Sequence, residues 1–84
     1  MAAERTALTN ALAEHIGTVP LTPAEIDAVL RLAAVAAHGT GDRTTAPLAS
    51  FLAGIAAATA DNRVASVDEL RRRATELAPG SEAG

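Results

Sequence analysis

The residues of this 84-residue chain best suited to chemistry gather in one stretch. It is Gly39-Thr40-Gly41-Asp42-Arg43-Thr44-Thr45, with His38 before it and a helical start, Ala46-Pro47, after it. A loop that feeds a helix N-terminus can hold an anion, because free backbone N–H groups and the positive end of the helix dipole point into it. Arg43 would supply a two-pronged guanidinium, and Thr44 or Thr45 a hydroxyl. His38, at the end of the preceding helix, would have its charged form favoured by that helix's negative end. The same residues also have a purely structural reading, which we favour. In it Thr44 or Thr45 caps the next helix, Arg43 pairs with Asp42 or with helix carbonyls, and His38 packs between helices.

Other chemistries lack their parts. The glycines do not make a phosphate loop, since no lysine and no preceding strand accompany them. Nothing places Ser50 on a strained elbow with His38 and Asp42, so no hydrolase triad is expected. The two histidines, His15 and His38, have no partner at metal-ligand spacing, and no metal or cofactor is expected. Arg71, Arg72 and Arg73 are the sole basic run, but successive helical residues diverge by about 100°, and Asp68, Glu69 and Glu76 flank them. With net charge −3, no lysine and a single aromatic residue, nucleic acid is not an expected partner. A helix-turn-helix fails because its recognition helix would be apolar. We therefore expect a non-catalytic chain.

Composition narrows the setting. The absence of cysteine removes disulfides and thiolate metal sites, and a cytoplasmic location is the expectation. The first ten residues carry acidic and polar groups where a leader would need an apolar run. The longest uncharged apolar stretch, residues 46–60, falls short of the roughly 20 residues a bilayer requires. Alanine accounts for 22 of the 41 apolar residues, so only 18 Leu, Val, Ile and Phe side chains are available to build a core. So thin a core in so small a domain would gain from a protein partner or from a homodimer.

The elements that must position the central loop read as helices, and the chain is expected to be an all-α, small four-helix bundle spanning about 3–16, 22–38, 46–59 and 66–78. Residues 1–78 form one domain and 79–84 a disordered tail. In the first helix Leu8, Leu12 and Ile16 share a face, and Gly17 stops it. Thr22-Pro23-Ala24-Glu25 is an N-cap, an N1 proline and a capping glutamate. The inner stripe of the second helix is expected at Ile26, Val29, Leu30, Ala33 and Ala37, and the helix stops at His38-Gly39. The third, with Leu48, Phe51, Leu52 and Ile55, is apolar nearly all round and should be the most buried. Its small residues Ser50, Gly54 and Ala58 lie four apart, and Gly54 is expected to let another backbone approach. The fourth should start at a second capping box, Ser66-Val67-Asp68-Glu69, bury Val67, Leu70, Ala74 and Leu77, and pair Asp68 with Arg72 and Glu69 with Arg73 outside.

The central segment also resembles a known family. The residues concerned are Leu32-Ala33-Ala34-Val35-Ala36-Ala37-His38, the loop Arg43, Ala46-Pro47-Leu48 and Phe51-Leu52-Ala53-Gly54. They are similar to a small actinobacterial domain of unknown function, which occurs alone or fused behind a molybdenum cofactor guanylyltransferase, the enzyme that joins GMP to molybdopterin. The resemblance is clear over residues 23–58 and makes His38, Arg43, Pro47, Phe51 and Gly54 signature positions. It implies a shared pathway and an accessory or docking role in trans, with the guanylyltransferase as partner. The chain itself has no nucleotide-binding sheet pattern.

Overall fold

In the computed structural model, which describes residues 2–78, the chain forms four helices: α1 (Ala2–Ile16), α2 (Pro23–Thr40), α3 (Thr45–Ala58) and α4 (Arg63–Leu77). No strand occurs among the described residues, so the all-α expectation holds. The expected tail, 79–84, lies outside them.

Helix ends follow local chemistry. Gly17 ends α1 in the left-handed conformation (φ 80°), with its own N–H bonded to Glu14 O at 3.1 Å and the Thr18 N–H to Ala13 O at 2.9 Å. These two bonds form a Schellman stop. At the start of α2, the Thr22 hydroxyl accepts from Glu25 N at 3.1 Å and the Glu25 carboxylate accepts from Thr22 N at 2.8 Å. The capping box is therefore reciprocal, as the sequence predicts.

Two boundaries differ from the sequence reading. α2 runs through His38 and Gly39 to Thr40, and Gly41 (φ 72°) turns the chain. The Thr40 hydroxyl donates back to Ala36 O at 2.7 Å, which supports the extra turn. α4 starts three residues before the expected Ser66, because Asn62 caps it by accepting from Ala65 N at 3.1 Å. The early start puts Val64 against the core and brings Arg63 to within 3.7 Å of Glu25.

Three helices, α2, α3 and α4, pack on one another, while α1 packs along none of them. The core joins Ala28 and Leu32 of α2, Ala53 of α3 and Val67 of α4, with Val29, Ala49, Ala57, Val64, Leu70 and Ala74 around it. The buried line of α2 is thus Ala28, Leu32 and Ala36 with Gly39, one register round from the stripe expected through Ile26 and Leu30. Leu30 is 47% exposed. This register lets α2 offer small side chains on either side of Leu32 to two neighbouring helices at once. On α4, Val67, Leu70 and Ala74 face inward as expected, but Leu77 is exposed. The outer ion pairs are Arg71–Asp68, Arg72–Glu69 and Arg73–Glu76, all three residues apart rather than the expected four.

Candidate functional site

The expectation most clearly overturned concerns α3. It is not the buried helix of the set: Leu48 is 66% exposed, Phe51 72%, Leu52 61% and Ile55 58%, and Ala53 alone is fully buried. Successive turns bring Ala49, Ala53 and Ala57 to the core, so the opposite side of the helix carries Leu48, Phe51 and Ile55. The helix is amphipathic only in size. Alanine faces inward, where α2 and α4 approach, and the bulky residues face out, with no charge anywhere from Thr44 to Ala60. The reason is geometric. Three helices drawn together around Leu32 leave room for methyl groups on α3, and the long side chains must take the other face.

Gly54 lies on the flank of α3, between this outward side and the core side. It is exposed, and a Cβ placed there would meet nothing within 4 Å. It does not serve the backbone approach expected of it. Together with Ser50, Ala57 and Ala58 it forms one wall of an open cleft of about 430 Å³. Ile16 and Leu21 line the same cleft, and so do Glu25 and Arg63, which pair with one another. A smaller groove of about 210 Å³ runs between α3 and α4 beside Leu52 and Leu77. Pro47 is exposed in the first turn of α3.

The loop between α2 and α3 is occupied by its own carboxylate. Asp42 Oδ1 accepts from the Thr44 N–H at 2.9 Å and from the Thr44 hydroxyl at 2.7 Å. Asp42 O accepts from Thr45 N, and Arg43 O from Ala46 N. Pro47 has no N–H to offer. The N-terminal donors of α3 on which an anion would depend are thus engaged within the loop. The two bonds from Thr44 hold the Asp42 carboxyl below its ordinary value of 3.8. Capping of α3 by a threonine hydroxyl, the structural reading of Thr44 and Thr45, is also not observed. Thr44 occupies the N-cap without a side-chain cap bond, and the Thr45 hydroxyl shares a 3.1 Å hydrogen bond with Thr40.

His38 and Arg43 are both exposed, and among the described residues neither makes an ion pair or a side-chain hydrogen bond. Arg43 therefore does not pair with Asp42. Sequence reasoning missed two features: Asp42 as internal acceptor, signalled by the Asp-x-Thr spacing of an Asx-turn, and the tie from Glu25 to Arg63, which depends on tertiary packing.

No group of three His, Cys, Asp or Glu residues able to hold a metal occurs among the described residues. Nor is any helix there long and apolar enough to cross a membrane. No curated protein and no solved structure matches the chain. A family model does, over residues 2–84, and the chain belongs to that family, the Domain of unknown function (DUF6457).

Proposed function

We propose that the domain is a non-catalytic accessory module that works by docking protein through the outward face of α3. The observation that carries this reading is the inverted helix. Four large apolar side chains stand more than half exposed on one uncharged helix, and an apolar patch of that kind marks an interaction site on a small domain. The resemblance to chains fused behind molybdenum cofactor guanylyltransferase supports that cytoplasmic enzyme as a partner, with the domain assisting molybdopterin guanine dinucleotide synthesis in trans. Calorimetric titration of the guanylyltransferase with the wild-type domain and with Phe51→Glu tests it. Saturable heat with wild type and none with the variant is expected; no heat with wild type removes the partner.

The alternative is an anion- or nucleotide-binding domain using His38, Arg43, Thr44 and Thr45. Its support is the pair of uncommitted side chains, His38 and Arg43, beside the start of α3. An incoming anion would have to displace Asp42 from Thr44.

A further inference from the structure

The open cleft of about 430 Å³ is separate from the docking face of α3, since none of Leu48, Phe51, Leu52 or Ile55 lines it. Of its lining residues Ala53 and Val67 are buried and Val29 half-buried, while Ile16 is 75% exposed and Leu21 44%. A cavity of this size between helices, with apolar walls and few polar groups, is the usual form of a small-ligand site. At about 30 Å³ per water, 430 Å³ admits a ligand of about a dozen heavy atoms. The walls are aliphatic throughout, because the chain's single aromatic residue, Phe51, lies elsewhere. A flexible hydrocarbon chain fits such walls and would cover Ile16 and Leu21.

The charged groups select the head of that ligand. Glu25 and Arg63 are the two charged residues lining the cleft, and they are not equally free. The Glu25 side chain is 15% exposed, and its Oε1 already accepts from the Thr22 N–H at 2.8 Å. Arg63 Nη1 stands 3.7 Å from Glu25 Oε2, drawn by its charge but beyond hydrogen-bond length. The Arg63 guanidinium makes no hydrogen bond among the described residues, and its side chain is 47% exposed. Glu25 is the third residue of α2 and Arg63 the first of α4, so two helix N-termini meet at this pair. Each adds the equivalent of roughly half a positive charge. Together they offset the Glu25 carboxylate and leave the charge of Arg63 in excess. An amine would be repelled by Arg63 and by both helix ends. A carboxylate would take the N–H groups of Arg63 as a two-pronged pair and displace no existing bond.

We propose that the cleft binds a medium-chain aliphatic carboxylic acid. Its carboxylate pairs with Arg63, and its chain lies over Val29, Ala53 and Val67 with Ile16 and Leu21 beside it.

Decanoate is the probe, with decanol and decylamine as controls of equal chain. Calorimetric titration of the wild type, below the micellar range, should show saturable binding of decanoate. Arg63→Gln should weaken it about tenfold, the loss expected for a charge-assisted pair at a half-exposed position. Decanol and decylamine should bind the wild type more weakly than decanoate. Gly54→Leu projects a side chain into the cleft from a position where a Cβ meets nothing within 4 Å. It should abolish binding while circular dichroism shows the helices and the melting transition retained. Filtered NOEs from the ligand chain should reach the methyl groups of Val29, Ala53 and Val67. Absence of binding to the wild type overturns the proposal. So does undiminished affinity in Arg63→Gln, or decylamine binding as tightly as decanoate. NOEs to Leu48 and Ile55 instead would place the ligand on the outward face of α3 and overturn the site. Phe51→Glu should leave decanoate affinity unchanged, so the cleft and the protein-docking face are judged separately.

Discussion

Asp42 shows how one side chain can convert a binding loop into a structural one. Its carboxylate takes the Thr44 N–H and hydroxyl, and the positive end of α3 favours the negative charge there. Because these bonds lower the carboxyl's pKa in the folded state, their contribution to stability is complete above the ordinary value of 3.8. It is lost as pH falls below that value through the folded pKa. Asp42→Ala should therefore flatten the acid side of the stability profile followed by circular dichroism melts. The same variant frees the Thr44 donors, so phosphate should raise its melting temperature while leaving wild type unmoved. Phosphate protection of the wild type that disappears in Arg43→Ala would instead favour the anion-binding alternative. The sequence displays Asp42, Arg43, Thr44 and Thr45 side by side. Which acceptor takes which donor depends on loop dihedrals, and two partners two residues apart compete with a cap that is just as plausible by composition.

Helix identity and approximate length are legible where breakers and caps are local: Gly17 and Thr22-Pro23-Ala24-Glu25 each act on their nearest neighbours, whereas α2 ends at Gly41 and not at the expected His38-Gly39, because either glycine can stop a helix. Orientation is less so. An apolar run with Ala at 49, 53 and 57 and Leu, Phe and Ile at 48, 51, 52 and 55 presents two apolar faces, and periodicity cannot say which one meets the core. The start of α4 was misplaced for a similar reason, since Asn62 and Ser66 are both good caps and the packing of Val64 and Arg63 decides between them. The orientation of α3 makes a definite claim about Gly54. With space around it and helical backbone, Gly54→Ala should stabilise the domain by up to about 1 kcal/mol. A higher melting temperature is the expected outcome, measured in dilute solution. A lower one would mean that another backbone lies against it.

For the molecule as a whole, the core is small enough for single side chains to matter. Leu32 is the one large side chain among the described residues buried to 2%, and most of its buried company is alanine. Leu32→Ala should cost about 3 kcal/mol or more, a large fraction of what a domain of this size has to lose. Leu48→Ala, removing as many atoms from an exposed position, should cost little in dilute solution. Comparing their denaturant midpoints checks both. That alanine content would leave a thin core was readable from composition. That Leu32 would sit at its centre was not, since eight other leucines compete for the place.

The alanine surface joining α3 to its neighbours has a mechanical consequence. A methyl group has no rotamers to freeze and no length to interlock. Sliding or rolling α3 by a small angle therefore meets neither the steric ratchet nor the side-chain rearrangement that knobs-into-holes packing imposes. Ala49, Ala53 and Ala57 make a smooth bearing. On such a bearing small adjustments of α3 need no rotamer change of its own inward residues, and their extent is set by the contact of the Ala53 methyl with the Leu32 cluster.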